Sequence, residues 1–162
     1  MSYRGVSLSY DTVRDHSRRF AQGLLSLGLK KGDKVALFMP NIPQFVVAYF
    51  GTLMMGGVVV PCSPLYKERE LEHQLSDSGS SVVVAATDVV RKNDLFASLS
   101  SCRNRLSLKA VIAASVTDYL PALKRTLAPL AGVRRTKRAE TLSFMGIIRS
   151  NRPIGEYVSV EP

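Results

Sequence analysis

Apolar residues recur along this chain with two periods, and the period changes at glycine and proline positions. Ser9 stands before a stripe of Val13, Phe20, Leu24 and Leu27, widened by Ala21 and Leu25. That spacing predicts a helix starting at Tyr10, capped by Ser9, with Asp11 favouring the helix dipole and Gly28 ending it. Lys30, Lys31, Gly32 and Asp33 read as a polar turn. Residues 35–39 form a short apolar run stopped by Pro40, as a buried strand would be. Pro43 suits the first turn of a helix over 43–55 that is apolar nearly all round and is closed by Gly56 and Gly57. Such a helix belongs inside a larger body. Residues 58–60 read as a second buried strand, stopped by Pro61.

A helix over 68–78 places Leu71 and Leu75 on one face and ends at Gly79. Residues 82–85 give a third strand, 88–99 a helix and 108–113 a fourth strand. Helices alternating with continuous apolar strands predict an α/β fold with a mostly parallel sheet covered on both faces. Beyond Ser115 the pattern loosens. Helical stretches are expected at 119–130, between Pro121 and Pro129, and at 141–150, with a basic turn at 134–138. The expected organisation is an α/β subdomain over 1–115 and an irregular, helical, basic extension over 116–162.

No charged residue occurs over 35–66, which raises the question of a membrane span. Prolines interrupt that stretch, and its longest apolar part, 45–60, is shorter than the roughly 20 residues a spanning helix needs. A buried helix followed by a buried strand accounts for it better.

Composition is ordinary for a folded chain, 46% hydrophobic and 22% charged, but the charge of +9 is uneven. Residues 1–81 carry +2 (nine basic, seven acidic), and residues 82–162 carry +7 (thirteen basic, six acidic). Lys124, Arg125, Arg134, Arg135, Lys137 and Arg138 dominate the basic stretch. Such a cluster attracts phosphates or anionic head groups, so peripheral membrane contact is one reading. A solvated face, or a surface covered by another segment, is the plainer one. Nucleic acid is disfavoured, because no aromatic residues are interleaved for base stacking. Two separated cysteines, Cys62 and Cys102, fit a reducing compartment, and the first ten residues lack a signal-peptide core. The expected location is the cytoplasm, with or without contact at a membrane surface.

Candidate chemistry is sparse. Gly51, Gly56 and Gly57 are spaced as helix and turn residues rather than as a phosphate loop. His16 and His73 are isolated and lack a second ligand at metal spacing. Cys62, after a buried strand, reads as a small core hydrophobe. Glu68, Glu70 and Glu72 read as an exposed acidic turn without the burial that acid–base work needs. No catalytic, cofactor-binding or metal-binding residue is expected in this segment.

The run GLLSLGLKKGDKVALFMPNIPQFVVAYFGTLMMGGVVVPCSPLYKERELEHQLSDSGSSVVV, residues 23–84, resembles the N-terminal region of AMP-forming acyl-CoA synthetases. These belong to the adenylate-forming superfamily that includes firefly luciferase and peptide-synthetase adenylation domains. SLSYDTV, residues 7–13, matches the start of that region. VTDYLPALKRTLAPLAGV, residues 116–133, looks most like the long-chain fatty-acid–CoA ligase branch. The resemblance implies an acid–thiol ligase that uses ATP and Mg²⁺ to make an acyl-adenylate and then passes the acyl group to coenzyme A. It also implies that the phosphate-gripping loop, the ribose-binding residues and the catalytic lysine come from later segments. The expectation is therefore an N-terminal scaffold, inactive alone, with both ends falling inside a longer family chain. The alternatives are the docking half of a split ligase and a basic module for membrane surface or nucleic acid. Three positions depart from the family pattern: Lys67 replaces a capping Thr, Gln44 a Glu, and Thr12 a capping-box Glu.

Overall fold

The computed structural model describes residues 1–3, 5–87, 95–121 and 141–156. An antiparallel pair, β1 (Ser2–Tyr3) and β2 (Val6–Ser7), opens the chain, a feature the apolar pattern does not announce. Helix α1 spans Tyr10–Ser26. Ser9 Oγ accepts the Thr12 N–H at 3.1 Å and lies 2.8 Å from Thr12 Oγ1. The hydroxyl at position 12 thus meets the cap directly where a capping-box carboxylate would reach back to the backbone. Phe20, Ala21 and Leu24 are buried along the expected stripe, and Gly28 (φ 80°) reverses the chain after the helix.

Then follow β3 (Lys34–Phe38), α2 (Pro43–Met54), β4 (Val58–Cys62), α3 (Glu68–Ser78) and β5 (Val82–Ala86). Helix α4 (Leu95–Cys102) runs into a 3-10 turn, Arg103–Arg105, before β6 (Ala110–Ala114). The first residues of the helix expected over 88–99 lie outside the described residues, and its observed part extends to Cys102. Strand β7 (Leu142–Ser143) and helix α5 (Phe144–Ser150) occupy the stretch expected to be helical throughout. Ser143 both ends β7 and caps α5, its hydroxyl accepting the Gly146 N–H at 3.2 Å. Most of the helix expected over 119–130, and the basic turn at 134–138, lie outside the described residues.

Strands β4-β3-β5-β6-β7 form one sheet in that order, with every pairing parallel. Val35, Ala36, Leu37 and Phe38, and all of β5, are buried. Side chains alternate across a sheet, so unbroken burial requires cover on both faces. Helices α1, α2 and α5 pack together as one group, and α3 and α4 as another. Residues 141–156 join this body through β7 beside β6 and through α5 against α1.

Pro61 does not stop β4, contrary to the sequence expectation. The strand runs on to Cys62, and Pro61 sits in register with Leu37. Strand β4 is at one edge of the sheet. The Val58 N–H bonds to Asp33 O at 2.9 Å, so the backbone groups of residues 58, 60 and 62 face β3 and those of 59 and 61 face outward. A proline nitrogen in an outward position costs the sheet no hydrogen bond. Among the described residues, no helix is long and apolar enough to cross a membrane.

Candidate functional site

The two histidines part company. His73 is exposed on α3. His16 is half-buried on α1, its Nδ1 2.9 Å from the Tyr119 hydroxyl. Burial holds the His16 pKa below the ordinary value, the nearby Asp15 opposing that shift. Burial also raises the Tyr119 pKa, helped by Asp118. This is a satisfied packing pair joining α1 to the segment after β6, and its partner, 103 residues away, has no local sequence signal.

Cys62 is buried at the end of β4, and burial pushes its thiol pKa up to about 11. Cys102 is likewise buried and its pKa raised, chiefly by burial. Reactive thiols need the opposite environment.

The three glutamates do not form a turn. They occupy the first turns of α3, because the chain turns helical at Glu68. The Arg105 guanidinium donates from Nη2 to Glu68 Oε1 at 2.6 Å, and to Glu72 from Nε at 2.8 Å and from Nη2 at 2.7 Å. Those hydrogen bonds hold both carboxyls below the usual carboxylate range. This fork ties α3 to the 3-10 turn after α4. Glu70 does something else: its Oε2 accepts the Lys67 N–H at 2.9 Å. That is half a capping box. The other half is missing because a lysine ammonium has no lone pair to offer the helix.

Gln44 is fully buried in the first turn of α2. Its Nε2 donates to the Ser115 carbonyl, bridging α2 to the chain just past β6. Its Oε1 is buried with no hydrogen-bond partner.

A cleft of about 290 Å³ is lined by Ser76, Ser80, Ser81, Arg105 and Ser107 beside Leu75 and Leu106. Its one charged lining residue, Arg105, already faces two carboxylates, and the C-terminus of α3 adds partial negative charge. The cleft does not fit a triphosphate. Among the described residues, no three His, Cys, Asp or Glu side chains converge as a metal site. The basic residues Lys124, Arg125, Arg134, Arg135, Lys137 and Arg138 lie outside the described residues. The elements brought together here build a core and its ties.

Comparison with known proteins gives this body its context. The long-chain-fatty-acid–CoA ligase of Bacillus subtilis is 37% identical over 130 residues, which is 80% of this chain and 22% of that protein. The ligase of the same name from Yersinia pestis is 36% identical over 156 residues, covering 91% of this chain and 26% of the relative. The solved long-chain-fatty-acid–CoA ligase of Archaeoglobus fulgidus superposes with a TM-score of 0.73 over 99% of this chain and 26% of its own, at 20% identity, a likeness of fold. The chain therefore spans about a fifth to a quarter of the length of the relatives it matches. The family model for AMP-binding enzymes matches residues 1–143, and on that match, together with these relatives, the chain belongs to the AMP-binding enzyme family.

Proposed function

We propose that this chain is the N-terminal scaffold of an AMP-forming fatty-acid–CoA ligase. The observation that carries the reading is its 36–37% identity to long-chain-fatty-acid–CoA ligases over most of its own length and little of theirs. Adenylation of a carboxylic acid needs groups that grip a triphosphate and its Mg²⁺, and place the acid in line with the α-phosphate. The buried and hydrogen-bonded side chains described above serve packing, caps and the Arg105 fork. In this reading ATP, Mg²⁺ and coenzyme A are held by the other three-quarters of the enzyme. That part is either continuous with these residues or a separate polypeptide that docks on them. Contact with anionic lipid through Lys124, Arg125, Arg134, Arg135, Lys137 and Arg138 is part of the proposal and is supported by their charge alone.

The test compares two proteins. The 162-residue chain, given ATP, Mg²⁺ and a long-chain fatty acid, releases no pyrophosphate. The same chain, joined to the part of the Bacillus subtilis ligase that follows the matched region, forms acyl-CoA. Pyrophosphate release by the isolated chain would overturn the proposal, as would a folded but inactive chimera.

A further inference from the structure

Two arginines of α1 hold the chain after α5. That helix ends at Ser150, and residues 151–155 have no helix or strand of their own. Arg18 Nε donates to the Ile154 carbonyl at 2.8 Å. Arg18 Nη2 donates to the same carbonyl and to the Gly155 carbonyl, the latter at 3.1 Å. The Arg18 backbone carbonyl in turn accepts the Ile154 N–H at 3.3 Å. Arg19 adds a second hold: its Nη1 donates to the Asn151 carbonyl at 3.0 Å, while Asp15 steadies its Nε at 2.7 Å. The arginines reach because α1 lies close on α5. A Cβ on Gly23 would stand 2.1 Å from Ile147 Cγ2.

The donors of Arg18 go to neutral carbonyls, unlike those of Arg105, so they set geometry rather than balance charge. A planar guanidinium bonded to two successive carbonyls fixes where that peptide lies and which way it points; an ammonium fixes only the place. Buried Ile154 already anchors the segment in the core. What Arg18 adds is direction.

We propose that Arg18 is a positioning residue: it sets the direction in which the chain leaves this body past Gly155, toward the part of the ligase that grips ATP. The inference rests on the ligase reading above and adds how this unit acts on that part. The solved relatives superpose on 94–99% of this chain, yet it covers only 22–33% of theirs, so in each the same unit is a minor part of one longer body. Direction matters because in-line attack tolerates little error; a misplacement of about 1 Å costs about 100-fold in rate.

The experiment places Arg18→Met and Arg18→Lys in the 162-residue chain and in the single-chain chimera described above. Arg14→Met is the control, an exposed arginine of the same helix that pairs with Asp11 at 3.1 Å. Urea unfolding checks that each protein is folded; if Arg18→Met is not, Arg18→Lys carries the comparison. In the 162-residue chain, protease Glu-C cuts after exposed Glu156, next to the clamp, and mass spectrometry follows that product. Arg18→Met speeds the cut at least tenfold, and Arg14→Met leaves it at the wild-type rate. Equal rates in wild type and Arg18→Met overturn the proposal. In the chimera, kcat/KM for ATP is measured per active site, counted from the pyrophosphate burst without coenzyme A. A role in stability alone changes the number of active sites and leaves this ratio as it was. Arg18→Met lowers the ratio at least tenfold and Arg18→Lys lowers it less; an unchanged ratio overturns the proposal. A wild-type chimera that makes no acyl-CoA strikes the ligase reading, and this proposal with it. An active chimera indifferent to Arg18 strikes this proposal alone.

Discussion

Replacing Gly51 by alanine tests a close approach of α1 to α2. In an exposed helix the change would stabilise, since alanine is better than glycine by about 0.8–1 kcal/mol. Here the added Cβ would stand 2.8 Å from the Ser17 carbonyl oxygen, 2.9 Å from Phe20 Cδ1 and 3.2 Å from Phe20 Cβ. The first of these is backbone and cannot rotate away. Helix α1 is also held from behind: Phe20 packs on Phe144 of α5 with ring centroids 5.0 Å apart, and Arg19 Nη1 donates to the Asn151 carbonyl at 3.0 Å. Relief therefore requires moving a helix. Overpacking of this kind costs about 1–3 kcal/mol, enough to reverse the propensity gain. The expected net loss is about 1 kcal/mol, or a fall in Tm of about 2–4 °C for a chain of this size. Urea unfolding followed by circular dichroism reads it, with Gly155→Ala as control, because nothing lies within 4 Å of that Cβ position. A Gly51→Ala protein as stable as wild type, with the same denaturant slope, would refute the close α1–α2 crossing.

Three further outcomes follow from the ties described above. Arg105→Met removes the fork that holds Glu68 and Glu72 below their ordinary pKa. The stability that fork contributes is present above the unfolded carboxylate pKa and is lost as pH falls through the lowered folded pKa, so the wild-type advantage over Arg105→Met at pH 7 should shrink on acidification; a pH-independent difference contradicts the charge account. His16 has a folded pKa below 6.5, so the unfolded chain binds the extra proton first as pH falls through that value, and stability declines. His16→Gln should flatten the pH dependence of unfolding on the acid side of 6.5, and an unchanged profile would place the titration elsewhere. Cys62, with a thiol pKa pushed up to about 11, and buried Cys102 should react with iodoacetamide at pH 8 only after unfolding in urea; prompt labelling of the native chain, read by mass spectrometry, would disprove their burial.

Local signals placed the elements whose causes are local. Ser9, Gly28, Pro43 and Gly79 mark the helix ends where the structure has them, since capping and left-handed turns are decided within four residues. The unbroken apolar strands announced a parallel sheet for the same reason. Pro61 misled, because whether a proline ends a strand depends on which neighbour lies beside it, and strand order is not written locally. The local pattern predicts helix where β7 stands, because its two residues take their conformation from β6, some thirty positions earlier. Contacts across long gaps left no trace: Arg105 with Glu68 and Glu72, His16 with Tyr119, and Gln44 with Ser115 each join residues 33 to 103 apart. The nearly all-apolar character of α2 was legible. That its buried side chains include the polar Gln44 was not.

The order of strands bears on how the sheet is made during synthesis. Strand β3 emerges first and ends up second from one edge; β4 adds on one side of it, β5 on the other, β6 beside β5 and β7 beside β6. Each newcomer meets a strand already in place, and none has to wedge between two that are paired. The sheet can therefore grow by accretion as residues leave the ribosome, and a pause anywhere after Cys62 leaves a gapless partial sheet rather than one awaiting a missing centre.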